Sequence, residues 1–409
     1  MYSAARRMSR RYGYDMPYRY LKKHGPSNAL PSKTFALDQA DSPARPPVVL
    51  NKLGIYRLIC GGLMFIGLTV GIFWFQFSKI PAGNQPEVWS QLQWRYLLWL
   101  LLFLPVDTVA AGLRIWVIGR VLQPGVSVWT CLKAEWANLG LAMLTPSQTG
   151  GGFGQMYMLS RGGMRLGTAL TVSLISFLGS MVVLLFVGLY ALMSSSVAHL
   201  NVLFKGAFVV FFVVFAGLMT AVCWPGSVRR VARAVTTAAG KIEVRSGLPQ
   251  NSGIRRLSES ICRLSKKCID LCYHHQANMH RYFRLSHSNF LWVCLLSLVF
   301  LLARAIMAFL CLRFLGIPVA EVGRVLQTQM CLIFLIYFAP TPGSSGLAEG
   351  ASMSMMGGII AAGFVPYYNL LWRSLTLYLP AVAGLIFLLW AIVKDARHAV
   401  DRRARRRAV

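Results

Sequence analysis

Seven polar side chains lie inside or at the edge of long apolar sequence: Asp107, Arg114, Glu135, Gln155, Arg304, Glu349 and Arg373. If that sequence spans a membrane, an arginine near the centre costs roughly 2.5–3.5 kcal/mol even on the lenient insertion scale, so such groups face an interior and mark function. Asp107 and Arg114 are seven residues apart and so share one helix face. Packing alone would pair Asp107 with Arg114 through the intervening turn, or Glu349 with Arg373. Three interior arginines exceed that need. The planar guanidinium fork is suited to phosphate, so the set points to an anionic phosphate headgroup drawn partway into the bilayer. Glu349 and Asp107 would then carry a proton or compensate a cationic group on that headgroup.

These charges need elements that hold them, and two interruptions offer themselves. Pro146-Ser147-Gln148-Thr149-Gly150-Gly151-Gly152-Phe153-Gly154-Gln155 and Pro340-Thr341-Pro342-Gly343-Ser344-Ser345-Gly346-Leu347-Ala348-Glu349 both break apolar runs. A shift of 194 residues lays Pro146 on Pro340, Gly152 on Gly346 and Gln155 on Glu349. The same shift pairs Pro124 with Pro318, Val128 with Val322 and Leu132 with Leu326. Proline lacks an N–H and glycine raises the entropy cost, so neither segment continues a helix. In hydrocarbon a broken helix survives only within protein or beside a water-filled cavity. A matched pair of broken segments points to a transporter's midplane site. The helix starts after Gly150–Gly152 and after Gly343–Gly346 would add free N–H groups and positive dipole ends.

The chain has 409 residues, 56% apolar and 13% charged. A soluble domain carries about a quarter charged residues, so this is a polytopic membrane protein. Apolar runs of spanning length lie near 53–77, 96–119, 166–193, 202–224, 289–315 and 368–393. The net charge of +29 is concentrated: ten Lys/Arg in 1–52, twelve in 225–288 and seven in 394–409, against three in the loops 78–95 and 194–205. The positive-inside rule then puts both termini and the linker in the cytoplasm. Every cluster falls on its expected face with six full spans and two re-entrant broken-helix hairpins, 131–160 and 325–362; reading each hairpin as two complete crossings gives ten spans with the same parity. The expected fold is an all-α polytopic membrane protein with an inverted-topology repeat. Its parts are a basic arm 1–52, a first repeat 53–224, a linker 225–288, a second repeat 289–393 and a basic tail 394–409.

Ile254, Leu257, Ile261, Leu264, Cys268 and Leu271 recur at helical spacing among Arg255, Arg256, Arg263, Lys266 and Lys267. That is a basic amphipathic helix, for the inner leaflet or for the protein's own cytoplasmic face. The arm is expected to be disordered. Basic patches flanking apolar spans are the ordinary membrane pattern, which argues against nucleic acid. Cys268, Cys272, His274 and His275 fit no zinc-ligand spacing, and the other cysteines sit mostly in apolar runs. No catalytic residue, metal or cofactor is expected.

The run Thr145-Pro146…Thr149-Gly150-Gly151…Gln155-x-Tyr157-x-Leu159 with Arg161-Gly162-Gly163 resembles the lysylphosphatidylglycerol synthase transmembrane-region family, flippase-like integral membrane proteins. So does Pro340-Thr341-Pro342-Gly343-Ser344-Ser345-Gly346-x-Ala348-Glu349-Gly350 with Arg373…Tyr378-x-Pro380…Gly384. The likeness covers roughly 53–393. It implies a lipid-translocating domain of a bacterial inner membrane, without the C-terminal synthase domain of some relatives, since the chain ends sixteen residues after 393. On the matching positions it implies a substrate site of Pro146, Gly150, Gly151, Gly152, Gln155, Tyr157, Pro342, Gly343, Ser344, Ser345, Gly346, Glu349 and Arg373. Arg304, Arg114 and Asp107 join it from the burial argument. Expected partners are membrane lipids with an anionic phosphate headgroup; a homo-oligomer and a separate lipid-synthesising enzyme stay open. The substrate would be a phospholipid, aminoacylated or not, or a polyprenyl-phosphate lipid. The competing readings are an embedded enzyme acting on lipid phosphate and a non-transporting membrane partner protein.

Overall fold

A backbone in hydrocarbon must satisfy its own hydrogen bonds, and runs of this length do so as helices. The computed structural model describes residues 52–80, 88–193, 201–223, 271–337 and 339–407, with isolated positions at 230, 234, 237 and 269. No strand occurs among the described residues. The helices that matter here are α1 Lys52–Ser78, α2 Arg95–Leu122, α3 Val128–Leu144, α4 Gly151–Arg161, α5 Leu166–Met193 and α6 Asn201–Cys223. After the linker come α7 His287–Phe314, α8 Val322–Tyr337, α9 Leu347–Met356, α10 Val365–Arg373 and α11 Leu379–Arg407. Among the described residues, six stretches are long and apolar enough to span a membrane: Ile59–Ser78, Arg95–Leu122, Leu166–Met193, Val202–Thr220, Ser288–Phe314 and Ala362–His398. The expected disorder of the arm 1–51 and the amphipathic pattern from Ile254 to Cys268 lie outside the described residues.

Both interruptions are elbows of one design. Each is a short 3-10 turn, Pro146–Gln148 after α3 and Pro342–Ser344 after α8. A threonine in extended conformation precedes each, Thr145 at φ −117°, ψ 141° and Thr341 at φ −91°, ψ 152°. Two consecutive residues then adopt positive φ, Ser147 (51°) and Gln148 (56°) in the first elbow, Gly343 (57°) and Ser344 (61°) in the second. This geometry corrects the register read from sequence. The helix starts Val128 and Val322 keep the shift of 194, but Pro146 corresponds to Pro342 and Gly150 to Gly346, a shift of 196. Two extra residues between α8 and its elbow separate the registers. Glu349 therefore lies opposite Phe153, not Gln155.

The short arms of the elbows do not reach across a bilayer. At 1.5 Å per residue, the 11 residues of α4 and the 10 of α9 are each about 15–17 Å long, half of a hydrocarbon core of about 30 Å.

Helices α2 and α7 form the centre of the protein and run antiparallel. Tyr96, Asp107 and Arg114, in ascending order on α2, meet Arg313, Arg304 and Ser297, in descending order on α7. Each of these two helices precedes one elbow. Helix α3 crosses α11 just as closely through facing glycines: Gly140 lies against the backbone of Ala381–Leu385, and a Cβ at Gly384 would overlap the Trp136 carbonyl. Small residues at such crossings allow the backbone approach on which membrane helix packing depends. Gly384→Leu should therefore cost about 1–3 kcal/mol of overpacking, at the upper end because the obstacle is backbone. Thermal unfolding in detergent, read as thiol exposure of the buried Cys131, Cys311 and Cys331, checks this.

Helix α1 lies across both elbows. Gly61 packs on the Leu144 carbonyl, Phe65 on Gly343, and Thr69 Oγ1 is 3.1 Å from Ser345 Oγ. Its outer face, with Leu63, Ile66, Val70 and Trp74, is exposed, as a lipid-facing helix requires.

Candidate functional site

The two elbow tips meet. Gln148 Nε2 donates to Ser344 Oγ at 3.0 Å, and Ser344 Oγ donates to the Ile336 carbonyl at 2.9 Å. Beside this junction lies a cavity of about 90 Å³. One water needs about 10–15 Å³ of such space, so several waters or a headgroup fragment fit. Its charged lining is Arg114 from α2, Glu135 from α3, Arg304 from α7 and Arg373 from α10. Asn138, Gln148, Tyr337, Ser344, Trp372 and Thr376 complete the polar wall.

Each arginine is held differently. Arg373 Nε bonds Glu349 Oε1 at 3.0 Å, and its Nη2 donates to the Gly343 carbonyl, so it clamps the second elbow. Glu349 Oε2 accepts the Gly346 N–H at 2.7 Å, which caps α9. A polar network backs this pair: Gln76 Nε2 donates to the Glu349 carbonyl at 3.1 Å, and Asn369 Nδ2 donates to Gln76 Oε1 at 3.4 Å. Local sequence helps set the clamp. Pro380 has no N–H for the Thr376 carbonyl, and the chain widens into a π-helical turn, Ser374–Tyr378, directly after Arg373.

Arg304 Nε pairs with Asp107 Oδ2 at 3.3 Å, while its guanidinium stacks over Phe300 at 4.4 Å. Its Nη2 is buried with no hydrogen-bond partner among the described residues. Arg114 Nη1 donates to Ser180 Oγ and, at 3.1 Å, to Ser297 Oγ; its Nε is also buried and unpartnered. No carboxylate among the described residues comes within 4.0 Å of Arg114. The pairing of Asp107 with Arg114 along one helix face is thus replaced by Asp107 with Arg304 across the α2–α7 contact. Two buried donors of opposite helices remain unspent in the wall of one cavity.

Of the residues expected at a site, Arg114, Arg304, Arg373, Gly343 and Ser344 line the cavity. Pro342 and Ser345 are buried in the second elbow, with Ser345 turned to Thr69 of α1. Asp107 and Glu349 stand behind the lining as the partners of Arg304 and Arg373. At the two helix starts, Gly150 N–H donates to Thr145 Oγ1 at 2.8 Å and Gly346 N–H to Glu349 Oε2 at 2.7 Å. Gly151 passes close to Asn138, whereas a Cβ at Gly152 would meet open space. Pro146 starts the first elbow on its exposed side. Gln155 is buried in α4 outside the lining. Tyr157 donates to Asp395 Oδ2 at 2.8 Å, joined there by Arg161 Nε at 3.2 Å, so it fastens α4 to α11.

The structure adds Asn138, Gln148, Tyr337 and Trp372 to the lining, and promotes Glu135 from an intramembrane acid to a wall residue. Glu135 is 2% exposed and receives only long bonds, 3.4 and 3.5 Å, from Asn138 Nδ2. Its burial in apolar sequence signalled it; the i, i+3 spacing to Asn138 was a further signal. Ser180 and Ser297 gave none.

The molecule is thus a helical membrane protein whose two broken segments meet beside an arginine-lined cavity. It belongs to the Lysylphosphatidylglycerol synthase TM region family, which its sequence matches over residues 59–384. No curated protein and no solved structure matches the chain. Membership and helices together make it a membrane protein of lipid metabolism or transport.

Proposed function

We propose that this protein is a lipid transporter of the flippase kind, which moves a lipid with an anionic phosphate headgroup between the leaflets of a bacterial inner membrane. The lipid, a phospholipid or a polyprenyl-phosphate lipid, passes chemically unchanged, and both termini face the cytoplasm. One observation carries the reading: Arg114 Nε and Arg304 Nη2 are buried donors without partners among the described residues, and both side chains line the cavity where the elbows meet. A buried unmade bond to a charged donor is costly, and a phosphate oxygen is the acceptor that guanidinium geometry favours.

The antiparallel course of α2 and α7 supports an inverted repeat, and the half-length arms α4 and α9 support re-entrant hairpins entering from opposite faces. Alternating access then amounts to parting the elbow tips on one side at a time. The headgroup slides over the cationic wall while its acyl chains stay in lipid.

The test is the accessibility of a trace acyl-chain-labelled phosphatidylglycerol in phosphatidylcholine vesicles holding the full chain. Membrane-impermeant dithionite should bleach the inner-leaflet label with protein present and spare it in protein-free vesicles. Joining Gln148→Cys to Ser344→Cys with a short reducible bis-thiosulfonate should stop that movement, and reductant should restore it. Equal bleaching with and without protein would remove the proposal.

A further inference from the structure

The cavity and its immediate supports balance to zero charge: Arg114, Arg304 and Arg373 against Asp107, Glu135 and Glu349. Two of those acids are committed. Asp107 is 3.3 Å from Arg304, and Glu349 is 3.0 Å from Arg373 while also capping Gly346. Glu135 differs, because no cationic side chain among the described residues approaches its carboxylate within 4.0 Å. It lines the cavity, so water in that space can bring it a proton.

The groups around it come from every side. Arg114 and Asp107 act on it from α2 and Arg304 from α7, with Asn138 on its own helix. Tyr337 of α8 interacts with it, and Arg373 of α10 borders the same space. Helices α4 and α11, which also pack on α3, bring Arg161 and Asp395, and these are paired with each other. With Glu135 ionised, these six groups sum to zero.

An anionic headgroup that takes the free donors of Arg114 and Arg304 gives this low-dielectric chamber a net charge of about −1, which such surroundings penalise heavily. We infer that Glu135 takes up one proton for each anionic headgroup that enters and returns it when the headgroup leaves, so that lipid movement is electroneutral and coupled to the pH gradient. The carboxylate gains H⁺ from cavity water as the phosphate arrives, and the carboxylic acid loses it as the phosphate departs; no covalent bond of the lipid changes. This rests on the flippase reading and adds its energy source.

The experiment uses the full chain in vesicles of phosphatidylcholine with labelled phosphatidylglycerol, voltage clamped to zero by valinomycin and equal potassium, and a pH step across the membrane. The label should gather in the leaflet facing the alkaline side, up to about tenfold per pH unit, the limit for one proton per lipid. A potassium diffusion potential without a pH step should leave the distribution even. Glu135→Gln should still equilibrate the label but ignore the pH step and follow the potential, whereas Glu135→Asp should keep the wild-type response.

The wild-type result stands alone if the glutamine variant does not fold. Label that moves but stays evenly distributed under the pH step would overturn the inference and leave the flippase reading intact. A pH response retained in a folded Glu135→Gln protein would overturn it as well. No movement at all would end both readings.

Discussion

Arg373→Ala is expected to destabilise the protein by about 3–5 kcal/mol, the usual cost of leaving one partner of a buried ion pair alone. Glu349 is 1% exposed and Arg373 4% exposed, so the truncation leaves a buried carboxylate without its cation. The guanidinium also holds the Gly343 carbonyl of the second elbow, which would lose its donor. Glu349→Leu combined with Arg373→Leu should recover most of that loss, because neither side chain then strands a charge. It should not recover all of it, because Glu349 also satisfies the Gly346 N–H. Denaturation of the purified chain in mild detergent, arranged as a double-mutant cycle, reads the coupling. Single and double variants of equal stability would show that the two side chains do not depend on each other.

The second large effect concerns the free donors. Arg114→Gln should slow movement of an anionic lipid by roughly ten- to hundredfold, the equivalent of one charged hydrogen bond of about 1.5–3 kcal/mol. Arg114 is the cleaner of the two positions, because its partners are the hydroxyls of Ser180 and Ser297 and not an acid. Arg304→Gln should slow movement similarly and also destabilise the fold, since it strands Asp107, which is 1% exposed. The double variant should lose less than the product of the single losses, because groups holding one headgroup act together. Arg114→Lys should fall between, keeping the charge but not the fork. Dithionite accessibility with labelled phosphatidylglycerol measures the rates. Unchanged rates in Arg114→Gln would exclude the cavity as the path of the headgroup.

Much of this architecture was legible before any coordinates. The six spans were visible in hydropathy, and both elbows in their proline and glycine. The register of the second elbow was not, since Pro340 and Pro342 both offer a match to Pro146 and only backbone dihedrals choose between them. Nor was the use of two backbone donors: Thr145 Oγ1 takes the Gly150 N–H and Glu349 the Gly346 N–H. A side chain that folds back on its own turn leaves no mark in composition.

The sequence by itself determined the membrane class, the helices, the two breaks and the list of unusual charges. Those are local properties: a backbone in hydrocarbon must close its hydrogen bonds within a short segment, and proline or glycine prevents that wherever it stands. Only the tertiary structure decided which charges meet. Arg304 finds Asp107 across 197 residues and Arg114 finds Ser297 across 183, because α2 and α7 pack antiparallel. Such partnerships depend on how two helices are rotated and staggered against each other, and that is set by packing over the whole molecule.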